Sequence, residues 1–278
     1  MSIVITFEIG INANGSEELA KMLIKAAKDS GADFVKFQKR DIDTCYTKEF
    51  LDSPRDSPWG DTQRHQKKGL EFSQQQYESI DAFCKSIGMG WYASAWDVSS
   101  QIFLRQFNLP HNKIASAMLG HKPLLREVAS EMRHTFISTG MSSISEIAEA
   151  VDIFREYGCS FTLLHCNSSY PMREQDANLR CIQTLRDRFG CEVGYSGHET
   201  SLVKVCVAAV ALGAIAIERH ITLDRSMMGS DQAASIETHH LRDFVETVRA
   251  IPAILGTGIK DVTESEWPAR KKLRVEVA

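Results

Sequence analysis

Five residues at the ends of apolar runs carry the chemistry of this sequence. Glu8 closes "IVITFE", Lys36 lies in "DFVKFQ", Lys113 in "NKIASAM", His198 ends "CEVGYSGH" and His220 stands in "AIAIERHIT". Neutral imidazole suits manganese, iron, cobalt or zinc, especially with a carboxylate and waters completing the shell. His198 and His220, on successive runs, therefore form a candidate metal pair. Ammonium groups are not buried without negative partners, so Lys36 and Lys113 point to a bound anion; an ion pair with Glu8 is the plainer account of Lys36. Asn167, Ser168 and Tyr170 in "NSSY", with Ser196 in "YSGH", offer amide and hydroxyl hydrogen bonds to phosphate oxygens. His165 reads as structural, and His239 and His240 as solvated at a helix start. Trp91, Tyr92 and Trp96 read as core and rim packing. In "ERH", alternation turns Arg219 away from His220, toward an ion pair between barrel and helices, and Glu218 is also expected to face outward.

The elements that must position these groups alternate along nearly the whole chain. Apolar runs fall at 3–10, 33–38, 90–96, 112–118, 135–140, 161–167, 191–198 and 214–222. Amphipathic stretches follow them: the Ser16-capped segment with Leu19, Leu23, Ala26 and Ala27 on one face, then 75–87, 98–107, 122–131, 143–157, 178–189, 200–212 and 239–255. Eight strands alternating with eight helices predict an α/β fold, a single (β/α)8 TIM barrel. A doubly wound sheet is disfavoured because no G-x-G-x-x-G follows the first run. Residues 1–256 form the expected barrel domain and 257–278 a C-terminal tail or linker remnant. A polar insert, 39–74, is expected at the C-terminal face of the barrel, where active-site loops gather.

Composition sets the outer limits. A formal charge of −4 disfavours a nucleic-acid partner. Seven cysteines without a C-x-x-C pair read as buried thiols in a reducing, cytoplasmic compartment. The N-terminus lacks the charge pattern of a signal peptide, and no window is long and apolar enough to span a membrane.

The motifs "EIGINANG", "GADFVKFQKR", "KIASAM", "ISTGMSS", "LLHCNSSYP", "VGYSGHE", "GAIAIERHITLDR" and "GSDQAAS", in that order, resemble the sialic acid synthase family (N-acetylneuraminate synthase and its relatives) over residues 3 to about 266. The resemblance implies a TIM-barrel transferase that condenses phosphoenolpyruvate with a small open-chain aldose such as N-acetylmannosamine. The product would be a nine-carbon 2-keto-3-deoxy acid. It implies a divalent metal, Mn2+ foremost, with Mg2+ or Co2+ as alternatives, and a homodimer. His198 and His220 match the metal ligands and Glu8 the acid near the reacting carbons. Lys36, Lys113, Ser116, Tyr170 and Ser196 match phosphoenolpyruvate positions, Ser168 falls where some relatives carry an Asn, and Gln38 and Asp231 match positions lining the sugar. If Lys113 and Ser116 both touch the ligand, their strand must twist or bulge after Ala115.

Three positions depart from the family pattern, all expected on the sugar side: Ala13, Met118 and Gln232. The family usually continues into a small antifreeze-like domain, so the chain reads as a short form or as one whose antifreeze-like domain is supplied separately. Competing readings are a synthase for a seven- or eight-carbon keto-deoxy acid, a 9-phosphate synthase using Lys39, Arg40 and Lys48 of the insert, or a non-catalytic sugar-binding barrel.

Overall fold

The computed structural model describes residues 3–275. Eight parallel strands close into a barrel, each followed by a helix. They are β1 (Val4–Glu8), α1 (Glu17–Ser30), β2 (Phe34–Lys39), α2 (Gln74–Ile87), β3 (Gly90–Ala95), α3 (Val98–Leu104), β4 (Asn112–Ile114), α4 (Lys122–Ser130), β5 (Thr135–Ser138), α5 (Ile144–Glu156), β6 (Phe161–Cys166), α6 (Cys181–Phe189), β7 (Val193–Gly197), α7 (Lys204–Ala211), β8 (Ala216–Thr222) and α8 (Leu241–Leu255). Pairing of β1 with β8 shuts the barrel. All eight expected strands are present, and the single (β/α)8 architecture holds.

Local signals explain the helix starts. The Ser16 hydroxyl accepts from the Leu19 N–H, and Ser73 and Ser143 form reciprocal capping boxes with Gln76 and Glu146. Outward-facing Val35 and Phe37 on β2 are fully buried, Phe37 lying edge-on to Phe72, Tyr77 and Trp91. Burying each such side chain contributes about 1.5–3 kcal/mol.

The barrel interior is layered. Phe34, Tyr92, His111 and Phe136 pack ring against ring, with centroids 4.9 Å apart for Phe34–His111 and 5.9 Å for Tyr92–Phe136. Two residues further along β2 the inner face turns polar at Lys36. The aromatic layer is therefore a floor, and the charged groups sit on it toward the C-terminal mouth. Within the floor, Tyr92 donates to the Thr6 hydroxyl at 3.0 Å.

The insert after β2 is structured rather than a plain loop. It holds short helices at Ile42–Cys45 and Lys48–Asp52, a hairpin of Pro54–Ser57 with Gly60–Thr62, and a helix at Gln63–Leu70. Gly15, just after β1, shows how closely it packs: φ is +68° and a Cβ there would come within 2.0 Å of the Gly69 carbonyl oxygen. That contact puts the insert over the C-terminal side of β1. Beyond α8, residues 257–275 are almost wholly exposed and include a short helix, Trp267–Leu273. Among the described residues, no helix is long and apolar enough to cross a membrane.

Candidate active site

Barrel register places the charged residues side by side. Glu8 on β1 lies opposite Lys36 of β2 on one side and His220 of β8 on the other. Glu218 of β8 lies opposite Ser196 of β7, and Lys113 of β4 opposite Ser94 of β3. All are buried. Lys36 Nζ contacts Glu8 Oε2 directly and stands 3.7 Å from Glu218 Oε1. Lys113 Nζ is 3.5 Å from the same Glu218 oxygen and donates to Ser138 Oγ at 2.6 Å. Ser196 donates to Glu218 Oε1 at 3.1 Å, and the Gln38 amide to Glu8 Oε1 at 3.1 Å. Two ammonium groups are thus buried against two carboxylates, the compensation that burial demands.

The balance of charge is uneven within this group. Burial raises the pKa of Glu8, which Lys36 only partly offsets, and the Glu218 charge adds to the rise. Burial also works against the Glu218 carboxylate, but Lys113 and then Lys36 overcome it and hold its pKa down at about 2. Burial pulls on Lys36 too, yet Glu218 and Glu8 outweigh it and its pKa is raised; burial lowers Lys113, with Glu218 opposing. Glu8 is the carboxylate readiest to hold a proton and Glu218 the one that stays ionised.

Glu218 corrects the sequence reading. It faces the interior, because residues two apart on a strand share a face and His220 is inward. The alternation that turned Arg219 outward should have placed Glu218 inward. Arg219 does point away from the site, into a fully buried ion pair with Glu199.

These groups line one cavity of about 220 Å³ at the barrel mouth. Lys36, Gln38, Lys113, Ser116, Ser168, Tyr170, Ser196, His198 and His220 all border it, joined by Trp96, Ser138 and Glu218, which the motifs did not single out as ligands. Glu8 lies against Lys36 at its base. Ser116 reaches the cavity because β4 ends at Ile114 and a 3-10 turn, Ser116–Met118, follows Ala115. The expected break in alternation is therefore a change of element rather than a bulge. Ser116 Oγ accepts the Gly140 N–H at 3.1 Å, and a Cβ on Gly140 would come within 2.3 Å of Ser168 Oγ. The bare glycine keeps open a cradle of hydroxyls, suited to anionic oxygens.

Asn167 and Asp231 do not border the cavity directly. The Asn167 side chain is committed to its own loop, donating to the Asp176 carbonyl and accepting from the Ser169 N–H, while its carbonyl accepts from His198 Nδ1 at 2.6 Å. Asp231 stands 3.6 Å from His220 Nδ1. His165 is structural, 2.7 Å from the Ala177 carbonyl. Of the three departures, Gln232 proves structural as well. It is fully buried, bonded to the Thr222 hydroxyl and donating to the Asn12 carbonyl at 3.2 Å. Ala13 is fully buried, and neither Ala13 nor Met118 borders the cavity.

The two histidines have the state a divalent ion needs. His198 Nδ1 donates to a carbonyl, which leaves Nε2 with its lone pair, and burial followed by the neighbouring His220 lowers its pKa to about 4. Burial lowers His220 also, and its Nδ1 is buried without a hydrogen-bond partner. The ring centroids are 5.4 Å apart, with Tyr170 lying 4.1 Å over His198. A neutral imidazole pair with an orphaned ring nitrogen and a carboxylate close by fits a first-row divalent metal. Elsewhere, Glu237, His239 and His240 bring three donor atoms within 4.8 Å of one another. His239 is exposed, and none of the three borders the cavity.

Comparison with known proteins gives a consistent result. The NeuB family model matches residues 23–260. The chain is 38% identical to the N-acetylneuraminate-9-phosphate synthase of Mus musculus, over 96% of this chain and 75% of that protein. It is 36% identical to the N,N'-diacetyllegionaminic acid synthase of Legionella pneumophila, over 99% of this chain and 79% of that one. A crystal structure of N-acetylneuraminic acid synthetase from Leptospira borgpetersenii, in complex with citrate, superposes with a TM-score of 0.86 at 31% identity, covering 99% of this chain and 94% of that one.

Proposed function

Because the chain belongs to the NeuB family, we propose that it condenses phosphoenolpyruvate with an open-chain N-acylamino sugar, giving a nine-carbon sialic-acid-like 2-keto-3-deoxy acid and phosphate. One observation carries this reading: Lys36 and Lys113 converge on the cavity that His198 and His220 also border. An anion site beside a candidate metal pair suits the joining of an enol phosphate to an aldehyde.

Lys36 and Lys113 would bind the phosphate and carboxylate of phosphoenolpyruvate, with Ser116, Ser168 and Ser196 completing the oxygen contacts. His198 and His220 would hold a divalent ion, foremost Mn2+, which supplies Lewis-acid polarisation of the aldehyde when bound. In the reaction, C3 of phosphoenolpyruvate bonds to the aldehyde carbon, water adds at C2 and the tetrahedral intermediate expels phosphate. Glu8, whose raised pKa suits it to take a proton, would orient that water and accept its proton. Tyr170 would cover the His198 ring, while Gln38 and Asp231 would face the sugar. Seven unpaired cysteines support a reducing, cytoplasmic setting. A homodimer, proposed on family analogy, is read by sedimentation at micromolar concentration.

A phosphorylated acceptor is a second reading, favoured by Lys67 of the insert. Lys39 and Arg40 are both engaged by Glu71. Lys67 has no carboxylate within ion-pair distance among the described residues. Its ammonium lies 5.7 Å over Tyr46, and burial, then Arg40 and Arg55, lower its pKa. Arg40 in turn stands 5.3 Å over Trp96, a wall of the cavity. On this reading Lys67→Met lowers kcat/KM for an acceptor 6-phosphate about tenfold or more and leaves the unphosphorylated sugar unaffected. Equal rates for the variant and the native protein on both sugars would return the assignment to the unphosphorylated acceptor.

A further inference from the structure

We propose that the buried Arg219–Glu199 pair is a positioning strut that fixes the spacing of His198 and His220. Resting on the metal reading above, it assigns work to residues on the opposite side of the barrel wall from the cavity. Glu199 follows His198 directly and Arg219 precedes His220, so the pair ties together the two chain segments that carry the imidazoles.

The tie is extensive. Arg219 Nη1 donates to Glu199 Oε1 at 2.7 Å and Nη2 to the Glu199 carbonyl at 2.6 Å. Nη1 also reaches the Ser201 and Leu202 carbonyls, each at 3.3 Å, and so organises the loop into α7. Tyr195 donates to the other Glu199 oxygen at 2.9 Å. Both charged side chains are fully buried. Room for them depends on Gly197, the register partner of Arg219: a Cβ there would meet Glu199 Oε2 at 2.6 Å and Arg219 Cδ at 2.9 Å. α7 has no side-chain N-cap of its own, and Arg219 ties down the carbonyls of the loop that leads into it. A guanidinium presents five donors in a planar fork that spans a carboxylate and several carbonyls, whereas an ammonium offers three from a single point.

The test is Mn2+ binding to metal-free protein by calorimetry, with Co2+ absorption as a probe of ligand geometry. Arg219→Lys keeps the charge and removes the fork; it is expected to weaken Mn2+ about tenfold to a hundredfold, the range seen when groups supporting metal ligands are lost, and to alter the Co2+ spectrum. Tyr195→Phe, a milder change that keeps the fold if Arg219→Lys does not, is expected to weaken Mn2+ by a few-fold. Phe154→Leu, which loosens packing between α5 and the barrel, should lower the melting temperature and leave both metal readouts unchanged. If Arg219→Lys and Tyr195→Phe lower melting temperature alone, the pair is only structural and the proposal is overturned. If the native protein takes up no Mn2+, the metal reading itself falls, and the strut with it.

Discussion

His220→Ala is expected to abolish metal-dependent turnover while leaving a folded barrel. His220 is buried at the end of β8 and its Nδ1 has no protein hydrogen bond. Removing it therefore breaks no internal hydrogen bond of Nδ1, but it takes away one of two imidazoles bordering the cavity. Loss of a direct ligand should exceed the roughly tenfold to hundredfold cost of losing a supporting residue. Circular dichroism checks the fold, and phosphate release with added Mn2+ checks the activity. His239→Ala with His240→Ala serves as control and should keep full turnover, because neither residue borders the cavity. Retained activity in His220→Ala, or an ion found at Glu237, His239 and His240 and absent from His198 and His220, would contradict the assignment.

Lys36→Met and Lys113→Met are each expected to weaken phosphoenolpyruvate about tenfold to a hundredfold. A hydrogen bond to a charged group is worth about 1.5–3 kcal/mol, and each 1.4 kcal/mol is a factor of ten in affinity. The two variants should differ in stability. Lys36 touches Glu8 and stands near Glu218, so its loss strands buried negative charge, a change that typically costs about 3–5 kcal/mol. Lys113 shares only the Glu218 carboxylate, at 3.5 Å, and its Ser138 partner is neutral. Melting temperature should therefore fall more for Lys36→Met. The Lys36–Glu8 pair is present, so a stability loss alone does not separate an ion pair from an anion site. Isothermal titration with phosphoenolpyruvate does: unchanged affinity in both variants would leave Lys36 and Lys113 as mere counter-ions of Glu8 and Glu218.

The barrel was legible because its signals are local and repeated. Eight apolar runs separated by amphipathic stretches, with Ser16, Ser73 and Ser143 at helix starts, leave few other folds for a chain of this length. The inward set on β2, Phe34, Lys36 and Gln38, followed from alternation alone. What local patterns carried less well was contact across the barrel. That Glu218 neutralises Lys36 and Lys113 depends on closure between β1 and β8, residues more than 200 positions apart. Ser116 needed a 3-10 turn that "KIASAM" does not announce. The insert hid its helices and hairpin because short polar elements lack a strong apolar period. Gln232 shows the converse: its departure from the family pattern suggested a sugar contact, whereas its amide is spent within the fold on Thr222 and Asn12.

The most direct measurement is phosphate release from phosphoenolpyruvate in the presence of Mn2+ across a panel of aldoses, with the organic product identified by mass. The panel should include N-acetylmannosamine, its 6-phosphate, and four- and five-carbon aldose phosphates. Release is expected with the N-acylamino hexoses and lost without the metal, with one nine-carbon 2-keto-3-deoxy acid formed per phosphate. Release only with the four- or five-carbon aldose phosphates, or none with any N-acylamino sugar, would contradict the proposed function.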